Sequence, residues 1–388
     1  MSKIRLAIGG ASMRGDDLAR MLCNTGQVEI VAIADPIVAQ ARHLKDEHGL
    51  ADCEVFASIE EALGNVDCDA VMVAASDAHH AEVVVPALEA GKFVFCEKPL
   101  ETTLEKCRSI IEADRKAGYK TFVGLNLRYA PTYTAIKQQI DQGAIGRVLT
   151  IQADEFYDGG RTYFRRWNRL RSEGGGLWIT KATHDFDLIT YLAGGATPLE
   201  IFATVAQTYY VPKADAAMQC RNCKLEPECS DKAWWQPPLA SLREAGGGEP
   251  YDLCLYNAES DTFDHGIATI RYEKDILATY TCNVVCGFSD RRIRVSGTKG
   301  TLDGSMKGQT VVLHRRDPSE CVEIAVGGVT DTHGGADEKV ARGFIDFVRG
   351  QAPPRCRPEE ATISVRMGLA ATRASDEHRN VPLSEFEL

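Results

Sequence analysis

The chain has 388 residues, of which 44% are hydrophobic and 26% charged, an ordinary composition for a globular protein long enough to form two domains. Its formal net charge of −11 argues against nucleic acid or an anionic membrane surface as a partner, because both need a basic protein surface. The sequence starts directly with a strand pattern rather than a secretory signal, and no apolar run approaches the ~20 residues of a membrane span, so we expect a cytoplasmic protein.

Residues 1–125 alternate strand and helix patterns, which predicts an α/β domain with a parallel sheet. Strands buried on both faces of such a sheet are nearly continuous apolar runs. The predicted strands are Ile4–Ile8, Glu29–Ala34, Ala70–Ala75, Phe93–Cys96 and Thr121–Val123. Left-handed helix ends are expected at Gly26, Gly49, Gly91 and Gly118, and a capping box at Thr102 and Glu105.

A glycine-rich turn follows the first strand, over Gly9-Gly10-Ala11-Ser12-Met13-Arg14-Gly15. At such a turn the bare backbone lets a pyrophosphate approach the positive end of a helix. Ala11 replaces the second glycine of the usual G-x-G-x-x-G pattern, so the turn alone fits an ordinary loop equally well.

Asp35 ends the second strand, close to the spacing at which a carboxylate receives the adenosine ribose hydroxyls and repels a 2′-phosphate. With the glycine-rich turn it predicts a site that prefers NAD to NADP. The alternative is that Asp35 belongs to a solvated turn before Pro36.

Residues 126–388 contain strand patterns that mostly follow one another without helices, which predicts a second, largely antiparallel α+β domain. The predicted strands are Val148–Glu155, Glu200–Tyr209, Gly266–Tyr272, Ile276–Cys286, Arg292–Ser296 and Thr310–His314. Helix patterns cover Trp178–Ala193, Asp337–Arg349 and Pro358–Ser375.

Five arginines stand among aromatic residues between Arg161 and Arg171, in a chain that is acidic as a whole. Guanidinium groups bind carboxylate, phosphate or sulfonate in a bidentate manner, and Trp167 or Tyr163 could stack on a sugar ring. The stretch predicts either an anion-binding loop for an anionic substrate or a solvated loop whose arginines pair with acidic groups.

Thirteen cysteines are present, an odd number that favours a reducing compartment over a disulfide framework. Four of them lie in a polar insertion at about residues 212–256, namely Cys220, Cys223, Cys229 and Cys254. A C-x-x-C pair with two further thiolates can close a structural zinc site. Free thiols or disulfides, and an iron–sulfur cluster, are the alternatives to zinc.

Several motifs, in their order along the chain, resemble the Gfo/Idh/MocA (glucose–fructose oxidoreductase/inositol dehydrogenase) family. They are Val71–His80, Glu97-Lys98-Pro99, Gly124–Tyr129, Gly174-Gly175-Gly176 with His184 and Asp187, and His333–Asp337. The resemblance implies a Rossmann domain, an open-faced sheet domain, NAD as cofactor and assembly into homodimers or homotetramers. It implies a nucleotide site formed by Gly9, Ala11, Ser12, Met13, Arg14, Asp35, Ala75, Ser76, His80, Glu97, Lys98 and Asn126.

The resemblance also implies that Lys98 and His184 manage the substrate proton, since a desolvated lysine and an imidazole can both titrate near working pH. The sequence departs from the family at Thr180, where an aspartate commonly stands. Lys181 either replaces that aspartate as acid/base or binds an anionic part of the substrate. The expected substrate contacts are Arg128, Tyr129, Arg166, Trp167, Thr180, Lys181 and His184.

Together these features predict an NAD-dependent oxidoreductase that transfers a hydride to or from a hydroxyl-bearing carbon of a sugar, sugar acid or polyol. The first alternative is an NAD-dependent glycoside hydrolase, in which the sugar is oxidised transiently, elimination and water addition follow, and the hydride returns. The second alternative is a nucleotide-binding regulator without catalysis.

Overall fold

The computed structural model describes residues 2–233, 238–327 and 335–388, and the first domain is built on a six-stranded sheet. Its strands are β1 (Ile4–Gly9), β2 (Val28–Ala34), β3 (Glu54–Phe56), β4 (Ala70–Val73), β5 (Phe93–Cys96) and β6 (Thr121–Val123). Its helices are α1 (Met13–Asn24), α2 (Val38–Glu47), α3 (Ile59–Asn65), α4 (His80–Glu89) and α5 (Leu104–Lys116).

The strands of this sheet are all parallel and lie in the order β3-β2-β1-β4-β5-β6. The order reverses between β1 and β4, which opens a crevice at their carboxyl ends, where doubly wound folds bind ligands. The predicted Rossmann domain is therefore confirmed. Strand β3 was not predicted, because its three residues begin with the exposed Glu54 and form no apolar run, unlike the fully buried β6.

The second domain contains a nine-stranded sheet in the order β14-β13-β12-β11-β7-β10-β9-β8-β15. Its strands are β7 (Val148–Phe156), β8 (Pro198–Ala206), β9 (His265–Tyr272), β10 (Leu277–Asn283), β11 (Asp290–Gly297), β12 (Gly300–Ser305), β13 (Thr310–Arg316), β14 (Ser319–Ala325) and β15 (Val381–Pro382). Neighbouring strands are antiparallel except β7 and β10, which run parallel. The prediction of a largely antiparallel sheet is confirmed.

The helices of the second domain pack mainly on one face of this sheet or lie in the segments between its strands. They are α6 (Pro131–Asp141), α7 (Gly160–Arg165), α8 (Arg171–Gly174), α9 (Leu177–Thr180), α10 (Thr183–Leu192), α11 (Pro238–Ala245), α12 (Ala336–Val348) and α13 (Pro358–Glu377). Along β9, buried and exposed residues alternate, as they do in a sheet with one open face. On that open face Phe202, Ile267 and Leu277 are 38%, 51% and 54% exposed.

Two local predictions need correction. The helix predicted over Trp178–Ala193 is broken into α9 and α10, and at the break the Thr180 carbonyl accepts a hydrogen bond from Lys98. Helix α5 is capped by Thr103 rather than Thr102, since the Thr103 hydroxyl accepts from the Lys106 amide. No helix within the described ranges has the length and apolar character needed to cross a bilayer.

Candidate nucleotide-binding and active site

The glycine-rich turn lies at the crevice between β1 and β4. Gly10 has a φ of +100°, and a Cβ there would stand 2.5 Å from the Ala75 amide nitrogen, so the close approach of turn and strand end requires glycine. Ser12 fixes the start of α1, because its hydroxyl donates to the Ala74 carbonyl at 2.7 Å and accepts from the Gly15 amide at 3.1 Å. The N-terminus of α1 therefore opens at the crevice, as an anion site requires.

Asp35 is tied to this turn. Its Oδ2 accepts from the Ala11 amide and its Oδ1 from the Ile37 amide, both at 2.8 Å. Burial raises the pKa of Asp35, against the two amides and the charge of Arg243, which lower it. The structure thus brings Asp35 against the glycine-rich turn, at the end of β2.

Arg14 joins three segments predicted to bind the nucleotide. Its Nε lies 2.9 Å from Glu97 and its Nη2 3.3 Å from Asp337, and Asn126 Nδ2 donates to Asp337 at 2.9 Å. Although burial lowers it, these carboxylates raise the pKa of Arg14, so it keeps its charge. His333 and Gly334 of the same predicted motif lie outside the described residues.

His80 holds the ends of two neighbouring strands together. It is buried, with Nδ1 2.8 Å from the Pro99 oxygen and Nε2 3.2 Å from the Ala75 oxygen. Both ring nitrogens are used in these contacts, so His80 positions the segments carrying Ser76 and Lys98. The Lys98–Pro99 peptide is cis.

Lys98 reaches from the first domain into the second. Its Nζ donates to the Thr180 carbonyl, at the end of α9, at 2.9 Å. Burial lowers the pKa of Lys98, Lys181 and Arg14 lower it further, and Asp77 and Glu97 oppose them. A buried lysine with a lowered pKa can exchange a proton near neutral pH.

Asp77 is a functional candidate that the sequence reasoning missed. It is buried, and its Oδ2 has no hydrogen-bond partner among the described residues. Burial raises the pKa of Asp77 to about 6, against the charges of Lys98 and His80 and the Thr180 hydroxyl. Its position beside the motif histidine, where the chain enters the crevice from β4, was the available signal.

Lys181 does not have the surroundings of an acid/base. Its Nζ lies 2.8 Å from Glu155 and 3.7 Å from the centre of the Tyr157 ring. Although burial lowers it, Glu155 raises the pKa of Lys181 well above its ordinary value. Glu155 also pairs with Arg291, whose Nε lies 3.0 Å from Asp185. This pairing disfavours the acid/base alternative, and the part that Lys181 plays at the site stays a prediction.

Thr180 and His184 lie close to the Lys98 contact. Asn168 Nδ2 donates to the Thr180 hydroxyl at 2.9 Å, and both residues are buried. His184 is also buried, in the first turn of α10, four residues after the carbonyl that receives Lys98. The structure therefore places Thr180 and His184 on the side of the second domain that Lys98 reaches.

Arg128 and Tyr129 are both buried and make contacts within the chain. Arg128 bonds both carboxylate oxygens of Asp187, at 2.9 and 2.7 Å, and lies 2.8 Å from Glu360. Tyr129 is buried, with the Arg355 guanidinium 4.4 Å from its ring centre. Both residues anchor the crossover to α10 and the segment before α13, and their contact with a substrate stays a prediction.

Most arginines of the 161–171 stretch already have partners. Arg161 pairs with Asp158, Arg169 with Glu249 and Arg171 with Asp376, while Arg165 donates to the carbonyls of Leu253 and Asp231. Arg166 differs, because its Nη2 donates to the Met13 sulfur at 3.0 Å and no ion pair is formed within the described part of the chain. Trp167 packs near Gly174, where a Cβ would lie 3.2 Å from its ring. Three of the five arginines therefore pair with acidic groups, as the second alternative for this stretch predicts.

The four cysteines of the insertion line one cavity of about 250 Å³. Cys254 is buried, the other three are half-buried, and Cys223 Sγ accepts from the Ala217 amide at 3.4 Å. Across the described ranges no group of three or more His, Cys, Asp or Glu side chains is arranged to hold a metal ion. The geometry gives the predicted zinc site no support.

The chain was compared with protein-family models and with known proteins, and both of its domains match the same family. Residues 4–125 match the NAD-binding Rossmann fold, and residues 137–383 the C-terminal alpha/beta domain, of the GFO_IDH_MocA oxidoreductase family. The putative oxidoreductase YteT of Bacillus subtilis is 28% identical over 355 residues, 82% of each chain. Inositol 2-dehydrogenase of Salmonella typhimurium is 34% identical over 155 residues, 39% of this chain and 46% of that enzyme.

Solved structures share the fold over nearly the full length. A levoglucosan dehydrogenase in complex with NADH and levoglucosan has a TM-score of 0.79 at 15% identity, covering 98% of this chain and 100% of that one. A probable dehydrogenase from Thermotoga maritima has a TM-score of 0.71 at 22% identity, covering 98% of this chain and 99% of that one.

Proposed function

The chain belongs to the Gfo/Idh/MocA oxidoreductase family, and from this premise we propose that it is an NAD-dependent dehydrogenase of a sugar or polyol hydroxyl. The observation that carries the proposal is Lys98, a buried lysine of lowered pKa at the nucleotide crevice that reaches the second domain at Thr180. Relatives named inositol 2-dehydrogenase and levoglucosan dehydrogenase support a substrate of this class.

The crevice fits a dinucleotide, because Gly10 leaves room at the turn, α1 opens toward it and Asp35 stands at the end of β2. Bound NAD supplies the hydride acceptor of such a reaction. Neutral Lys98 would take the proton of the substrate hydroxyl as the carbonyl forms, and His184 would orient the same oxygen. The charge of Asp77 raises the pKa of Lys98 and so opposes the effect of burial.

The experiment is a turnover assay with NAD and a panel of inositols, anhydrosugars, hexoses and uronates, following NADH at 340 nm. Accumulation of NADH with at least one of them is the expected result. Release of aglycone from matched glycosides without net NADH would instead identify the glycoside hydrolase. NAD binding without turnover of either panel would contradict both enzymes and favour the regulator.

The same panel tests whether the substrate is anionic. Lys181 and three of the five arginines are neutralised by carboxylates within the chain, so fewer cations are available to a substrate than the composition of the stretch indicates. Glucose with glucuronate makes a matched pair. A preference for the uronate of tenfold or more would support the anionic substrate, and a preference for glucose would exclude it.

We also propose that the chain forms a homodimer or homotetramer through the open face of the second sheet. Phe202 on β8, Ile267 on β9 and Leu277 on β10 are exposed there on adjacent strands. Apolar groups clustered on a sheet face mark an interaction surface more often than isolated ones do.

A further inference from the structure

We propose that helix α11 of the cysteine-rich insertion forms one wall of the nucleotide site and that Arg166 and Arg243 bind the pyrophosphate of the dinucleotide. The inference rests on NAD binding, which the proposed function also needs, but not on the substrate or on turnover. It gives the insertion a binding role that does not involve a metal.

The insertion crosses from the second domain to the first. Helix α11 packs against α2, and Gln40 Nε2 donates to the Leu239 carbonyl at 2.8 Å, with both residues buried. Just after α11, a Cβ on Gly246 would lie 2.9 Å from the Ile37 side chain, so the backbone is in close contact there. Ile37 is two residues beyond Asp35, and α11 therefore lies beside the end of β2.

Arg243 stands on α11 between those two contacts, which places it at the same edge. Its charge lowers the pKa of Asp35 and that of Arg166, so its guanidinium lies near both side chains. Within residues 2–233, 238–327 and 335–388, Arg243 forms no salt bridge. Arg243 is therefore a cation without an acidic partner in this part of the chain, close to Asp35 at the end of β2.

Arg166 approaches the same crevice from the 161–171 stretch. Its donor contact is the sulfur of Met13, the first residue of α1, at 3.0 Å, and a thioether is a weak acceptor. Burial lowers the pKa of Arg166, the nearby Tyr157 and Tyr163 hydroxyls raise it, and the charge of Arg243 lowers it. A desolvated guanidinium with so weak a partner is costly unless an anion binds.

The two arginines flank the turn on which a dinucleotide places its pyrophosphate. The amides at the start of α1 supply part of an anion site, and two guanidinium groups supply the charge that those amides lack. The reacting end of the crevice is at Lys98, whose contacts are with Thr180 and not with either arginine. We assign the shared anion to the cofactor, because Arg166 contacts Met13 at the start of α1 and Arg243 lies beside Asp35.

The test is calorimetric titration of the full chain with NAD, ADP-ribose, adenosine and NADP, without substrate. Arg166→Gln and Arg243→Gln should each weaken NAD and ADP-ribose about tenfold or more, as loss of a charge-assisted hydrogen bond does. Adenosine, which has no phosphate, should bind within twofold of the wild type. Arg243→Lys should recover part of the loss.

The matched control is Arg161→Gln, an arginine of the same stretch that pairs with Asp158 and does not reach the crevice. It should leave all four affinities unchanged, and unfolding midpoints should confirm that each variant is folded. Unchanged NAD affinity in both crevice variants would overturn the proposal. If Arg243→Gln weakens the binding of NADP alone, Arg243 contacts the 2′-phosphate instead. If the variants weaken adenosine as much as NAD, the insertion contributes to binding by packing rather than by charge.

Failure of this proposal is distinct from failure of the dehydrogenase. Wild-type protein that binds no dinucleotide refutes the pyrophosphate site directly. Wild-type protein that binds NAD through both arginines but turns over no sugar keeps the pyrophosphate site and rejects the activity.

Discussion

Lys98 and Asp77 set the proton chemistry at the scale of single residues. Lys98 is buried and near Asp77, Glu97, Lys181, Arg14 and the Thr180 carbonyl, and Asp77 is near Lys98, His80 and Thr180. The charge of Asp77 raises the pKa of Lys98, and the charge of Lys98 lowers the pKa of Asp77.

Replacing Lys98 by alanine should lower kcat and kcat/KM together by 10²–10⁴-fold, about the contribution of a general acid or base. NAD affinity should stay within a few-fold. Steady-state kinetics and calorimetry measure the two quantities. Lys92→Ala, which removes a lysine near the opposite end of β5 that pairs with Asp67, is the control. A Lys98→Ala variant retaining a tenth of the activity would show that this lysine is structural.

Asp77→Asn should move the acidic limb of the kcat/KM profile to lower pH by about one pH unit. The Asp77 charge raises the pKa of Lys98, so its removal leaves a lysine that loses its proton at lower pH. Neutral Lys98 is then available further into the acidic range. Asp67→Asn, at an exposed carboxylate, should leave the profile in place. A shift toward higher pH would contradict the assignment.

NAD should bind at least ten times more tightly than NADP, because Asp35 would face the 2′-phosphate. One decade corresponds to ~1.4 kcal/mol, which a single charge clash supplies. Asp35→Asn should reduce the ratio of NAD affinity to NADP affinity in calorimetric titrations. The charge of Arg243 then attracts the 2′-phosphate without an opposing carboxylate. Equal affinities for the two nucleotides in the wild type would refute the prediction.

Sequence motifs identify residues whose role depends on the chain immediately around them. Asp35 and Lys98 both follow buried strands, and their position at the strand ends could be predicted from local pattern alone. The partner of Lys181 could not, because Glu155 lies on β7 and meets Lys181 only through packing of the second domain. The ion pair of Arg128 with Asp187 was not predicted for the same reason, since it depends on how the crossover packs against α10.

At the scale of elements, α9, α10, β7 and β11 are held together by buried charges. Lys181 and Arg291 both contact Glu155, and Arg291 also contacts Asp185. The helix break was not predictable, because the contact that accompanies it comes from Lys98 in the other domain. Most strands of both sheets were easier to predict from the sequence, since apolar runs and alternation of apolar and polar residues are local signals.

Glu155→Gln should lower the free energy of unfolding by about 3–5 kcal/mol, because it leaves the buried Lys181 without a carboxylate and Arg291 with Asp185 alone. Chemical denaturation followed by circular dichroism measures the change. Glu200→Gln breaks an exposed pair with Arg271 and should change it by no more than about 1 kcal/mol. Similar effects from both variants would show that the network contributes no more than a surface pair.

At the scale of the whole molecule, the two domains meet at the crevice and the second sheet leaves one face open. If copies of the chain associate through that face, Ile267→Glu should shift the mass in solution toward the monomer, because a charge would be buried at the contact. Light scattering after size-exclusion chromatography measures the mass. Met218→Glu, at an exposed apolar residue of the insertion, is the control. An unchanged assembly in Ile267→Glu would place the interface elsewhere.

The insertion lies between two cross-strand partners, Ala206 on β8 and His265 on β9. The whole segment between them is topologically a hairpin loop, so its length can change without altering strand order or register. Loop closure costs only about 0.6 kcal/mol for each doubling of length. The segment is thus a module that can be exchanged during evolution or by design while the scaffold and its lysine stay constant. If Arg243 binds the pyrophosphate as proposed, replacing this one loop would change the rate at which NAD dissociates.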